Sequence, residues 1–378
     1  MGGANHHRGH GAIPATLAKM LTLRDADADA GTESPSVALS VDRPVGLVLC
    51  CPFDAGASLV LAAGDSHATL LSVKEGADGL TLEPVPERPL PHEGAVDAAA
   101  WGRVKGQLSL ATVGPRGAVL HAFRGDGESE VTRVDALPAA ALARVHDACL
   151  AQNMLAVTGD DCRCHVVSLD AAAAAQARRS LVLGSAGVAV RAHALEPHHL
   201  MIAEEARLHF FDLRAPAERA ALSRELPASL GGGGHESSAL RDADWSPADS
   251  NVVGGVLSSG RWVAWDLRQR GEVQGGDAHA EGGTCFRWAP TGRAFASAGL
   301  MGDVAAHAVA PGSVAGGLGE YSRWMVSNQA LQHGLPTRTS SLSWGHAATA
   351  APTLVGACAT KVCVWSLSGR AGVSAMVA

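Results

Sequence analysis

Between Ser238 and Val309 the apolar positions fall into short runs separated by turn-formers, never into the i, i+3, i+4, i+7 stripe of a helix. The first phrase is Ser238-Ala-Leu-Arg-Asp-Ala-Asp-Trp245, Asn251-Val-Val-Gly-Gly-Val256 and Arg261-Trp-Val-Ala-Trp265-Asp-Leu-Arg268. After His279 it restarts as Thr284-Cys-Phe-Arg-Trp288, Ala294-Phe-Ala-Ser-Ala298 and Asp303-Val-Ala-Ala-His-Ala-Val309. The runs are small, β-branched or aromatic, and Ser-Pro, Thr-Gly and Ser-Gly pairs divide them. Each phrase is therefore three strands joined by two turns.

The same phrase recurs along the chain. Upstream it reads Val45–Phe53, Leu59–Ala63, His67–Val73; then Val96–Trp101, Leu108–Thr112, Ala118–Phe123; then Val145–Leu150, Met154–Thr158, Cys162–Leu169; then Val188–Ala192, His199–Ala203, Arg207–Arg214. Downstream it reads Ser340–Trp344, Thr353–Ala357, Lys361–Leu367. Third strands end near Val73, Phe123, Leu169, Asp212, Asp266, His307 and Ser366, at the spacing of roughly 40 to 60 residues typical of propeller blades with loops. A weaker, more polar fourth strand follows several of them, at Thr81–Val85, Val131–Val134 and Ser180–Leu183, as suits a solvent-facing edge.

A sheet this small cannot bury both faces alone, so seven repeats predict an all-β protein, a seven-bladed β-propeller. Trp265-Asp266 at the end of a third strand resembles the signature of the WD repeat, the WD40-type propeller. The expected divisions are a tail over 1–34 with a short helix possible at 15–23, one propeller over 35–370, and a C-terminal tail over 371–378. Ser36–Val41 is left without a sheet of its own, and pairing it as the outer strand of the seventh blade would staple the ring shut. Trp101, Asp212, Trp245, Trp265, Asp266, Trp288, Trp344 and Trp365 are the expected structural residues of the blades.

Composition agrees with a folded core: 47% of residues are hydrophobic and 18% charged. The net charge is −7, and no stretch gathers basic residues into the patch that a phosphate backbone needs, so direct nucleic-acid binding is not expected. No apolar run is long enough to span a bilayer, and the first ten residues lack the basic-then-apolar order of a secretory signal. The eight cysteines lie mostly in strand runs without a Cys-x-x-Cys pair, which fits a reducing compartment better than a disulfide framework. Cys162 and Cys164 are expected on one face of a strand, too few ligands to close a zinc site.

Catalytic motifs are missing. There is no Gly-x-Ser-x-Gly elbow, no His-Glu-x-x-His and no Walker loop, and Gly299-Leu-Met-Gly302 reads as a turn between strands. No catalytic, cofactor or metal residue is assigned. His6, His7 and His10 belong to a solvated tail sooner than to a metal site. His92, His146 and His279 precede first strands, where a hydrogen-bonding role inside the blade is expected. Gly231–His235 marks a surface loop, and Pro311–Thr337 exceeds what one outer strand needs. Within it Tyr321, Trp324 and Met325 are candidate partner contacts, with packing beneath the loop the duller alternative.

Blades four to seven carry a finer likeness. Leu200-Met-Ile-Ala-Glu204, Arg207-Leu-His-Phe-Phe-Asp212, Trp262-Val-Ala-Trp265-Asp266, Cys285-Phe-Arg-Trp288, Phe295-Ala-Ser-Ala-Gly299, Leu342-Ser-Trp344 and Val362-Cys-Val-Trp365 resemble the family of the thirty-seven-kilodalton nucleoporin. The resemblance runs from about Leu181 to Leu367, with His92–Asp97 and Trp101 agreeing more loosely. Cys-Phe-Arg-Trp is its most specific element, because ordinary WD repeats do not demand it. The resemblance implies a non-catalytic scaffold subunit of the Y-shaped complex in the outer rings of the nuclear pore. It would dock on the largest subunit of the Y arm, as a single copy within a hetero-oligomeric assembly, without cofactor or membrane insertion. The Gly/Ala-rich loops and the His-rich tail depart from the family. A second reading comes from Trp265-Asp-Leu-Arg268 and Phe211-Asp-Leu-Arg214, which fit the Trp-Asp-x-Arg pattern of substrate receptors of cullin-type ubiquitin ligases.

Overall fold

The computed structural model describes residues 37–366 apart from 42, 54–57, 77–78, 86–89, 125–128, 171–177, 216–219, 227–237, 270–272, 310–321, 325–338 and 346–352. The expected tails, the helix over 15–23 and the loop at Gly231–His235 lie outside the described residues.

The first strand, β1, is Val37–Ser40. Blade 1 is β2 (Leu47–Cys50), β3 (Leu59–Ala63), β4 (Ala68–Gly76) and β5 (Gly79–Pro84). Blade 2 is β6 (Ala98–Val104), β7 (Gln107–Gly114), β8 (Gly117–Phe123) and β9 (Ser129–Val134). A four-residue helix, α1 (Ala139–Leu142), leads into blade 3: β10 (Val145–Ala151), β11 (Met154–Gly159), β12 (Arg163–Ser168) and β13 (Arg178–Val182). Blade 4 is β14 (Gly187–Ala192), β15 (His199–Glu204), β16 (Arg207–Asp212) and β17 (Leu222–Glu225). Blade 5 is β18 (Leu240–Trp245), β19 (Val252–Leu257), β20 (Arg261–Asp266) and β21 (Val273–Asp277). Blade 6 is β22 (Gly283–Trp288), β23 (Ala294–Gly299), β24 (Val304–Ala308) and β25 (Ser322–Trp324). Blade 7 takes β26 (Thr339–Trp344), β27 (Thr353–Cys358) and β28 (Lys361–Ser366) from the end of the chain.

Each blade is a four-stranded antiparallel meander, and the first strands contact those of neighbouring blades all the way round the ring. Blade 7 is completed by β1 in the order β1-β28-β27-β26, with Val37 opposite Val364 and Ser40 opposite Lys361. One further backbone bond, Val41 N–H to the Thr360 carbonyl at 2.8 Å, extends the pairing past the strand. The expected staple is thus the observed closure.

Burial is greatest at the second strands and falls toward the outer edge of each blade, and composition follows it. The second strands β3, β19 and β23 are buried at every residue, since neighbouring blades cover both faces, and they read as continuous apolar runs. The outer strands β9 and β17 are mostly exposed and correspondingly polar. Seven separate apolar clusters fill the seven interfaces between blades. The aromatic ones are concentrated late in the chain. Between blades 5 and 6, Phe286 stacks on Phe295 at 4.9 Å, and Trp262 and Trp288 close around them. This explains Gly254 in the middle of β19: a Cβ there would lie 2.3 Å from Cζ of Phe286. The blade 2–3 interface is filled by Ala, Val and Leu instead.

Two details differ from expectation. His146 sits inside β10 instead of before it. Cys162 lies in the turn ahead of β12, at φ 55° and exposed, while Cys164 is buried in the strand. The two thiols therefore do not share a face, because the tight turn at Asp160 and Asp161 takes in Cys162 and the strand begins only at Arg163.

Candidate interaction surface

Three layers of polar side chains sit on this frame: a belt across the inner strands and a set of turns on each rim. The belt arises because the first strands of blades 3 to 7 each carry a register irregularity after their first residue, which turns the next side chain toward a neighbour. Asp147 of blade 3 accepts the Val190 N–H of blade 4 at 2.8 Å and binds the Arg191 guanidinium. Asp242 of blade 5 accepts the Phe286 N–H of blade 6 at 3.0 Å and binds Arg287, and Asp244 accepts the Trp288 N–H at 3.0 Å. Arg191 also reaches Asp242 at 3.4 Å. Blade 7 meets blade 1 with hydroxyls in the same places: Ser343 accepts the Cys50 N–H at 2.9 Å, and Ser341 donates to the Val48 carbonyl at 3.1 Å.

These groups are largely withdrawn from water. Burial pushes the Asp244 carboxyl above its ordinary range, against the pull of Arg191 and Arg287. Cys-Phe-Arg-Trp is the receiving half of one clasp. Arg287 grips Asp242, Phe286 and Trp288 enter the aromatic cluster, and the Arg287 carbonyl accepts the Trp344 indole N–H of blade 7 at 3.0 Å. The motif thus knits blades 5, 6 and 7.

One rim carries histidine clasps. His279 bonds Asp303 at 2.5 Å and Ser297 at 2.9 Å, tying the entry to β22 to the turn after β23. His92 bonds Thr112 at 3.0 Å, whose hydroxyl also meets His121 at 3.3 Å. Burial, with His92 adding repulsion, lowers the His121 pKa to about 4. His146 pairs with Asp160 at 2.9 Å. Three thiols are held protonated in the same way, since burial raises Cys50, Cys285 and Cys363 to about 12.

The opposite rim carries the turns after the third strands. In Asp212-Leu-Arg214 the carboxylate accepts the Arg214 N–H at 2.9 Å and holds its guanidinium with Nη2 at 2.8 Å. Asp266-Leu-Arg268 repeats this at 3.0 and 2.8 Å, with Asp249 3.1 Å from the same guanidinium. The hydrogen bond from Arg214 holds the Asp212 carboxyl well below its ordinary range. Arg224 donates to the Leu267 carbonyl across the blade boundary at 3.0 Å. Both motif arginines are solvent-facing yet already chelated by their own aspartates.

The expected structural tryptophans Trp101, Trp245, Trp265, Trp288, Trp344 and Trp365 are buried in inter-blade clusters. Asp266 is buried, and Asp212 stands half-buried at the rim. Trp324 lies in β25, opposite Val304, so that part of Pro311–Thr337 is an outer strand; Tyr321 and Met325 lie outside the described residues. The sequence pattern had passed over Asp147, Arg191, Asp242 and Asp244. Their only signal was charge interrupting an inner-strand apolar run. It also passed over the loop from β14 to β15, where Glu196, His198 and His199 converge beside Leu195, which is 74% exposed. Among the described residues no helix is long and apolar enough to cross a membrane.

No protein-family model matches the chain, and no curated protein matches it in sequence. Its shape matches 1507 chains of solved structures, so the likeness defines a common architecture and not a specific function. The WD40 β-propeller domain of Doa1 aligns at a TM-score of 0.59 and 13% identity, covering 89% of this chain and 97% of that one. The chain is a seven-bladed β-propeller of the WD40 type.

Proposed function

We propose that this protein is a non-catalytic scaffold subunit of the Y-shaped outer-ring complex of the nuclear pore, resident at the nuclear envelope and docked on the largest subunit of the Y arm. The observation that carries the proposal is the place of Cys285-Phe-Arg-Trp288 in the ring. The element that most resembles the nucleoporin family is built into the clasp between blades 5, 6 and 7, where a generic repeat would need only an apolar strand. The charged clusters on the inner strands and rims are bound up in internal pairs, as suits a rigid part more than a reacting site.

Affinity capture of the full chain from its own cells tests this. Recovery of the other Y-complex subunits, with a fluorescent fusion outlining the nuclear rim, is the expected result. A fusion spread evenly through the cytosol with no pore subunits captured overturns it. Capture of a cullin-ligase adaptor, lost in R214A/R268A, would favour the substrate-receptor reading. The chelation of both arginines by Asp212 and Asp266 weighs against that outcome, because an adaptor would have to displace an existing bidentate pair.

A further inference from the structure

We propose that the loop joining β14 to β15 is a binding site for one divalent cation of the zinc class, held by Glu196, His198 and His199. One ligand atom from each of the three residues lies within 4.8 Å of the others. Around a four-coordinate zinc ion, with bonds near 2.1 Å, ligand atoms stand about 3.4 Å apart, so side-chain rotation alone can gather them. Two imidazoles and one carboxylate suit a borderline cation such as zinc. Calcium and magnesium prefer an all-oxygen shell, which this loop does not offer.

The loop is held in place from several sides. His193 N–H donates to the His199 carbonyl at 2.9 Å and closes its neck, and His199 N–H donates to the Glu196 carbonyl at 2.8 Å. The Glu196 N–H donates to Nδ1 of His193 at 2.9 Å, and the His193 ring is buried edge-on against Trp245 at 5.0 Å. Pro197 stiffens the span between two of the ligands. Glu196 Oε2 and His199 Nδ1 are 2.6 Å apart, so the ion would take the place of their shared hydrogen bond. On the other side of that ring, Asp212 Oδ2 lies 4.0 Å from Nε2 and is itself fixed by Arg214. That distance is too long for a hydrogen bond, but a small shift of the ring on binding the ion would let Nε2–H donate to this carboxylate, which would orient the imidazole and raise its basicity. Exposed Glu196 and half-buried His198 and His199, at the junction of the loop with β15, leave the remaining positions to water. The proposal is independent of the scaffold role.

The test uses the full chain stripped with a chelator, in an H6A/H7A/H10A background that removes the other histidine group. Zinc is titrated by calorimetry and cobalt by its visible d–d absorption. The expected result is one equivalent bound in that background, with a cobalt band typical of low coordination number. H198A and H199A should each abolish the uptake, E196Q should weaken it, and D212N should lower affinity by about tenfold. Melting curves in chelator that match the parent show that these variants fold, and zinc should raise the parent's midpoint but not that of H198A/H199A. Uptake that vanishes with His6, His7 and His10, or that survives unchanged in H198A/H199A, overturns the site.

Discussion

Arg287 and Arg214 carry the same charge at different depths, and depth decides what each contributes. Arg287 is mostly buried against Asp242, and removing it strands a carboxylate in a low-dielectric setting. R287A should lower the unfolding free energy in urea by about 3 kcal/mol. R214A, on a solvated rim, should leave the midpoint where it was. Equal losses in the two would mean that the inner-strand belt contributes no special stability. His121 works through a proton instead. Its pKa falls from the ordinary 6.5 to about 4 on folding, so the neutral ring is what the native state holds. Its share of stability is complete above pH 6.5 and is lost as pH falls toward 4, by about 2 kcal/mol at pH 5. H121F should flatten that part of the pH profile, and an unchanged slope from pH 7.5 to 5 would assign the loss to other histidines.

At the scale of strands, legibility tracked burial. The first three strands of every blade were visible because one face, and in several second strands both faces, is covered, which demands apolar runs of defined length. β17 and β21 escaped notice: Leu222-Ser-Arg-Glu225 and Val273-Gln-Gly-Gly-Asp277 need only backbone pairing on one side, and that leaves little trace in composition. The clasps were hidden for another reason. Asp147 and Val190, or Asp242 and Phe286, meet only through blade packing more than forty residues apart in sequence, which no local pattern encodes. β1 was legible by elimination, and its pairing makes a clear demand. Removing residues 1–34 should leave the melting curve intact, whereas removing 1–42 takes the partner of β28 and should lower the midpoint by several degrees. Identical curves for the two truncations would contradict the closure.

Seen whole, the ring is joined unevenly. Arginine–aspartate pairs link blades 3 to 6 and aromatic side chains fill the interfaces from blade 4 to blade 7, whereas the blade 2–3 interface relies on small aliphatic side chains. If the proposed scaffold role holds, docking is best sought on blades 4 to 7, where the sequence motifs behind that proposal lie. The segment around β25 is the place to begin. Because β25 is a paired strand, deleting 318–328 would damage blade 6, and substitution is the cleaner probe. Y321A/W324A/M325A should weaken capture of the Y-arm subunit while leaving the melting midpoint within a few degrees of the parent. Undiminished capture would exclude these three from the interface. The strand that seals the circle also sets a timetable for biosynthesis. Val37 leaves the ribosome early and must wait for Val364, 327 positions later (364 − 37), on the order of tens of seconds at ordinary translation speed. Until then the nascent protein is an open arc with two unpaired sheet edges.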